Sequence, residues 1–417
     1  MRHHVLIVGR DKEVPGIIRS VGGPDVLMSL ICRTSAVDSI PSPDDYHRIV
    51  GVAHDADPAD WVAFARTIHA LDPVTAVGTF HELEQHHAAR IAAALGLPMH
   101  DLDTVTVVHD KALMRQRLRA AGVDDTPAAI VLSVSAALAF ADEHGYPLIA
   151  KPVDGAGSTG IARIHSAADV PAALERAGAK SQWSSGAVLL ERLLSGPQFS
   201  VEAISEGGEH VVVGVTAKSS SRDTLVELGH VCPAPLDPDV VVAMHDLVSR
   251  TLTVLGVTFG VTHTEVILTP EGPRIIETHV RYAGDRITSL VADVTGVDLR
   301  NCSARQALGQ SVLADVRTSL RREPVGASAI WYAAPDAPGV LRAIEGLAEA
   351  RAIDGVTEVV QLLLVGNETH PLRSTFDRGA YVRATAPTAK EALDIAATAA
   401  GKISFVLAHS HPAREVV

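Results

Sequence analysis

Near the middle of the chain His263, Glu265, Glu277, His279 and Arg281 alternate with apolar or small residues. The pattern predicts a β-hairpin closing on a five-residue turn, Thr269–Pro273, with Glu271 at its centre. That register sets Glu265 opposite Glu277 and His263 opposite His279. Directly opposed side chains have Cβ atoms about 4.5–5.5 Å apart, where like charges repel, so a cation is expected between the acids. Two carboxylates on rigid strands suit Mg²⁺, which takes its remaining ligands from phosphate and water. Arg281, two residues on, would bring a guanidinium to the same face, where its fork matches phosphate or carboxylate oxygens. A solvated sheet face carrying two acids is the competing interpretation.

Three further segments carry charge beside apolar runs. Tyr146-Pro147-Leu148-Ile149-Ala150-Lys151-Pro152 predicts a buried strand with a single lysine, followed by a glycine-rich loop containing Gly155, Gly157 and Ser158. Such a loop lets backbone amides approach an anion, and the lysine would neutralise phosphate, although glycine loops also make ordinary hairpin turns. It is neither a P-loop nor a dinucleotide fingerprint, because no Gly-Lys-Ser/Thr follows and the next element is a strand. Lys111 opens a predicted helix, Asp110–Ala121, and Glu191 ends the run Val188-Leu189-Leu190 just before Arg192-Leu193-Leu194.

Positioning these groups requires a folded chain of two or three domains. The opening stretch alternates short apolar runs (His4–Val8, Val26–Cys32, Ile49–Val52, Ala76–Gly78) with amphipathic segments such as Trp61–Leu71. This predicts a parallel sheet flanked by helices, with a boundary near residue 105. A helix over Glu82–Leu95 should end at Gly96-Leu97-Pro98. Strands are expected to dominate from residue 126 to 190, with further strands at Phe199–Ile204 and His210–Ala217 and helices at Val240–Leu255 and from Ile287. After residue 320 strand patterns at Ala327–Tyr332, Val356–Leu364 and Tyr381–Ala386 and an amphipathic helix at Ala389–Ala400 predict a small α+β unit.

Composition narrows the setting. An apolar share of 47% with 20% charged residues belongs to a folded protein, and a net charge of -13 disfavours nucleic acid and anionic membrane as partners. No apolar run reaches membrane-spanning length, and Cys32, Cys232 and Cys302 stand too far apart for a secreted disulfide framework, so a cytoplasmic location is expected. Twenty histidines invite metal assignments, but His81-Glu82-Leu83-Glu84-Gln85-His86 has the wrong spacing for a zinc-protease helix; His86 and His87 are expected at the surface or between domains.

Taken in order, Lys111, the Lys151 strand with its glycine loop, the Glu191-Arg-Leu-Leu stretch and Glu265…Glu277-x-His279-x-Arg281 resemble the ATP-grasp ligases. The resemblance implies an ATP-grasp fold of mixed α/β and α+β class: a Rossmann-like domain at 1–105, an ATP-grasp domain at 106–320 with a lid at about 126–190, and an α+β domain at 321–417. It also implies ATP as cofactor, with Lys111 and Lys151 on phosphates, Gly155, Gly157 and Ser158 closing over them, and Glu191 and Leu193 at adenine. Glu265, Glu277 and His279 would then hold Mg²⁺, or Mn²⁺ in its place. Glu227-Leu228-Gly229-His230-Val231-Cys232-Pro233-Ala234-Pro235 is similar to a stretch of the L-amino-acid ligase branch, the bacilysin-type dipeptide ligases. Carried over, Glu227 and His230 line the substrate end, and Arg281 stabilises an acyl phosphate or tetrahedral intermediate. Glu82 matches an acid that ties the first domain to the site. The implied activity joins two amino acids through an acyl phosphate, with small molecules as partners and a homodimer as the assembly. A carboxylase-type or purine-biosynthetic ligase and a non-catalytic ATP sensor remain open. Two departures stand out: His279 replaces the usual Asn, and Ala283 replaces a glycine in Arg281-Tyr282-Ala283-Gly284-Asp285-Arg286.

Overall fold

The computed structural model describes residues 3–80, 82–154, 159–180, 185–221, 224 and 226–408. Strands His4–Val8, Leu27–Arg33, Arg48–Val52 and Ala76–Gly78 form a parallel sheet with the third, second, first and fourth strands side by side. Helices Val14–Gly22, Pro58–Leu71 and Gln85–Leu95 supply residues to the two apolar cores that cover this sheet. That double burial is why its first two strands read as almost unbroken apolar runs. The helix before residue 96 starts at Gln85 rather than Glu82 and ends, as expected, on Gly96 in the left-handed conformation at φ +66°.

The segment at about 126–190 departs from expectation. Its sheet runs Ala128–Val131, Val188–Arg192, Leu148–Pro152, Ala162–Ile164, all neighbours antiparallel. Two helices, Val134–His144 and Val170–Ala177, interleave with these strands and pack on them. Both bury alanines, Ala137 and Ala141 in one, Ala173 and Ala177 in the other, so their apolar stripes are weak and strand patterns mask them. Ser133 caps the first by accepting the Ala136 N–H at 3.1 Å.

An eight-stranded sheet forms the centre. Its order is Gly272–His279, Gly260–Thr269, Gln198–Glu206, Glu209–Ser220, Glu227–Cys232, Ala327–Ala333, Ala380–Ala386, Val356–Gln361. Glu227–Cys232 is a strand paired on both sides, so the strand pattern that restarts after residue 320 extends this sheet. Helix Pro238–Val254 packs on one face, and Ile287–Thr295 and Leu299–Ala307 on the other.

The hairpin reaches the expected acid register by an unexpected route. Thr269 pairs with Gly272, leaving a two-residue turn at Pro270 and Glu271 in place of five residues. The pairing Val266↔Ile275 is followed by Glu265↔Glu277, so Ile276 is a bulge residue with no partner opposite. A strict continuation would have set Glu277 against Thr264 with its side chain on the opposite face. Two buried groups hold the bulge. Ile275 donates its N–H to Asp124 Oδ2 at 2.8 Å, and Arg115 Nη2 donates to the Ile276 carbonyl at 3.4 Å.

Removing Asp124 leaves the Ile275 and Thr126 amides without their acceptor and Arg115 with one anion fewer. Asp124→Ala should cost about 2–4 kcal/mol in denaturant unfolding. A second prediction concerns His100, which is buried and stacked on Phe259 with ring centroids 4.4 Å apart. Burial lowers its pKa to about 4 from 6.5, so it contributes stability above pH 6.5 that is lost as pH falls toward 4. The decline of melting temperature over that window should be shallower in His100→Gln.

Candidate active site

Glu265 and Glu277 lie opposite one another on one face of the hairpin, each with its own lysine. Lys111 Nζ is 3.1 Å from Glu277 Oε2, and Lys218 Nζ is 3.0 Å from Glu265 Oε1. Lys111 is delivered by the helix Lys111–Ala120, whose preceding Asp110 accepts the Ala112 and Leu113 N–H groups at 2.9 Å. Its own N–H donates to Val153 O at 3.1 Å, fastening this helix to the lid strand that carries Lys151. Burial alone would raise the pKa of both acids, but the lysines and neighbouring histidines outweigh it: Glu265 sits at about 2 and Glu277 well below the usual range. Both are ionised at neutral pH.

Lys218 was not singled out by the sequence. It also lies 3.1 Å from Glu227 Oε1, so one ammonium joins Glu265 to Glu227. It looks like one polar residue at the end of the run Glu209–Ser220, and only strand pairing brings Glu227 and Glu265 to it.

Lys151 and Glu191 form a second buried cluster. Lys151 Nζ is 2.8 Å from Glu191 Oε2, and Arg115 Nε donates to Glu191 Oε1 at 2.9 Å. Burial, with the nearby Arg115 and Lys111 charges, lowers the Lys151 pKa despite Glu191, whereas Glu191 is held at about 2. Its carboxylate is therefore held by two cations. The Leu193 N–H likewise donates to Pro147 O at 3.1 Å. Gly155, Gly157 and Ser158 lie outside the described residues, as does His81.

The histidines act as counter-charges. His279 Nδ1 is 3.0 Å from Glu82 Oε1 and its Nε2 is 3.3 Å from Glu277 Oε1. Two ionised acids on both ring nitrogens require both to donate, and the pKa of His279 is raised against the effect of burial. In this arrangement the ring has no lone pair for a metal, which argues against the ligand role expected of it. His263 stacks on it with centroids 5.8 Å apart, contacts Glu202 Oε1 at 2.7 Å, and is raised to about 9 because Glu202 outweighs burial. His86 and His87 are half-buried; His87 stacks on Trp61 at 4.3 Å.

Glu82 ties the N-terminal sheet domain to this face by contacting both His279 and Arg281 Nε. Arg281 is thus joined to His279 through Glu82. His230 pairs across strands with Lys218, and its Nε2 lies 3.2 Å from Asp285 Oδ2. A continuous charged row therefore runs from His230 and Glu227 through Lys218, Glu265 and Glu277 to His279, Glu82 and Arg281. Its floor is under-satisfied: Ser200 Oγ, Glu202 Oε2, Thr216 Oγ1 and His230 Nδ1 are buried without a hydrogen-bond partner among the described residues. Such a floor fits ordered water or a polar ligand.

The acid pair fits a hard divalent ion, since both carboxylates are ionised and fixed by strands. Among the described residues no group of three or more His, Cys, Asp or Glu makes a complete metal cage, so further ligands would have to come from phosphate and water, as Mg²⁺ prefers.

Comparison with known proteins agrees with this geometry. Residues 144–289 match the ATP-grasp domain. Residues 331–408 match the L-amino acid ligase C-terminal domain 2. The L-amino acid ligase of Bacillus licheniformis has the same fold, with a TM-score of 0.83 over 98% of this chain and 99% of that one at 20% identity. Phosphoribosylglycinamide synthetase from Anaerococcus prevotii shares it at a TM-score of 0.74, over 97% of this chain and 100% of that one at 15% identity. Protein y4rH of Sinorhizobium fredii is 30% identical over 305 residues, 73% of this chain and 62% of that protein. Alanine–anticapsin ligase of Bacillus subtilis is 25% identical over 267 residues, 59% of this chain and 56% of the ligase. The chain thus spans less than two thirds of either relative's length.

Lys218→Met should lower stability by about 1–3 kcal/mol, because it takes a cation from two partly buried carboxylates. If the cost is uncompensated charge, Glu265→Gln in the Lys218→Met background should recover part of it, which a double-mutant cycle in denaturant measures.

Proposed function

We propose that the protein is an ATP-dependent carboxylate–amine ligase that joins two amino acids through an acyl phosphate. The observation that carries this is the opposed pair Glu265 and Glu277, bracketed by Lys111 and Lys218, with Lys218 shared by Glu227 of the substrate side. The C-terminal domain match and the likeness to alanine–anticapsin ligase support amino acids as substrates.

Glu265 and Glu277 would hold Mg²⁺, which when bound neutralises charge on the transferring phosphoryl group. His279 and His263 keep the site from excess negative charge and hold the acids in place. Lys111, and Lys151 once released from Glu191, would meet the phosphate oxygens from the lid side. Arg281, freed from Glu82 or shared with it, offers donors to the oxygens of the acyl phosphate and of the tetrahedral intermediate. Glu227 and His230 border the amine: Glu227 offers a carboxylate to an ammonium, and His230 can take up the proton the amine loses on attack. The lid, about residues 126–190, would exclude water that hydrolyses an acyl phosphate.

A pairwise amino-acid screen for ATP-dependent phosphate release, with products identified by mass, tests this directly. One amide per ADP, with Mg²⁺ and two amino acids all required, is the expected result. Phosphate release driven by bicarbonate or by a phosphoribosylamine would replace amino acids as the substrate class, and ATP binding with no ADP under any condition would reject ligase activity. Glu277→Gln should reduce turnover by at least about a hundredfold, the scale of losing one charge stabiliser of the transition state.

A further inference from the structure

Asp285 joins His230 to the C-terminal unit through side-chain contacts on both sides. We propose that Arg378, from the C-terminal unit, is a positioning residue that fixes the ring of His230 through Asp285. Arg378 Nη2 donates to Asp285 Oδ1 at 2.6 Å and Nη1 to Oδ2 at 2.8 Å, and Oδ2 also faces His230 Nε2 at 3.2 Å. The fork saturates one edge of the carboxylate and leaves one direction for the imidazole.

The turn that bears Asp285 is strained. Asp285 and Arg286 both have left-handed backbone, at φ +51° and +61°, which L residues adopt at a cost. Two ion pairs pin it. Arg286 Nη1 contacts Glu13 Oε1 at 2.8 Å from the N-terminal domain, and Arg378 grips Asp285 from the C-terminal unit. Arg378 is in turn immobile: it is buried, its Nε donates to Thr375 O at 2.9 Å, and its guanidinium carbon sits 3.8 Å from the Tyr332 ring centre. Asp377 closes the same turn by accepting the Arg373 and Ser374 N–H groups at 3.0 and 2.8 Å. Glu13, Asp285, Arg286, Tyr332 and Arg378 line a cleft of about 430 Å³ between the N-terminal loop Arg10–Glu13, the turn Tyr282–Arg286 and the C-terminal unit.

The chemical consequence is a defined tautomer. Asp285 accepts only, since its carboxyl stays ionised beside Arg378 and His230, so His230 Nε2 carries the ring proton. Nδ1 then presents a lone pair, and it is buried with no hydrogen-bond partner among the described residues. Without Arg378 the strained turn would relax, Asp285 would leave the ring, and His230 would lose the contact that fixes its tautomer and orientation. The inference rests on the ligase activity proposed above for its functional meaning, but not for its structural test.

The test uses the full-length protein labelled with ¹⁵N-histidine, with His230 assigned by His230→Gln. In wild type the ring nitrogens of His230 should report a single Nε2–H tautomer. In Arg378→Met they should report a mixture, with the single tautomer partly restored in Arg378→Lys, which keeps one donor. An unchanged His230 ring in a folded Arg378→Met protein overturns the proposal; should that variant not fold, unchanged nitrogens in Arg378→Lys do the same. The functional arm measures amide formed per ADP. Arg378→Met should lose about tenfold to a hundredfold in that ratio at unchanged KM for ATP, because a misplaced base lets water take the acyl phosphate. Equal losses of amide and of ADP would mark Arg378 as merely structural. If wild type forms no amide with any pair, the proposed activity fails while the ring nitrogens still decide the positioning role.

Discussion

Arg115 holds together what the site needs to be together. Its buried guanidinium reaches Glu191 of the lid, Asp124 of the connecting segment and the carbonyl of the bulge residue Ile276. One planar group with five donors can satisfy three such partners at once, which a lysine ammonium in its place could not match in geometry. The bulge in turn sets Glu277 against Glu265. Relaxing it by one residue would send one acid to the other face, and the row of charges would lose its centre.

The charges of the row are balanced pairwise. Each acid has a cation within 3.3 Å: Glu277 has Lys111 and His279, Glu265 has Lys218, and Glu191 has Lys151 and Arg115. This arrangement keeps carboxylates ionised in a buried setting, where an unpaired one would take up a proton. On the proposed function, binding a metal and a polyanion would be an exchange of partners, with lysines moving from carboxylate to phosphate. Such an exchange costs less than charging an apolar pocket, because the ions are already desolvated and paired.

The central sheet couples the ends of the chain. Strand Glu227–Cys232 pairs with Glu209–Ser220 on one side and Ala327–Ala333 on the other, so the strand bearing Glu227 and His230 is the seam between the ATP-grasp strands and the C-terminal ones. Glu82 closes the arrangement from the N-terminal domain by meeting His279 and Arg281. Contributions from three parts of the chain therefore converge on one face, and the site exists only when all three are packed.

Much of this was legible in the residues alone. Alternation on the two hairpin strands showed which acids and histidines share a face, since a period of two survives any turn length that conserves parity. Apolar runs and Gly96 marked the parallel sheet and a helix end, because burial on both faces and a left-handed cap leave local signatures. The lid helices were missed because alanine stripes are faint, and the two-residue turn was missed because a turn and a bulge that compensate give the same register as a longer turn. Lys218, Arg115 and Arg378 were not singled out. Each is a single charged residue in an ordinary context, and the partners that matter most lie tens of positions away. Local pattern determined the identity and face of the chemical groups; packing alone decided which charges neutralise one another, because Coulomb partners are chosen by distance in space and sequence separation places no limit on them.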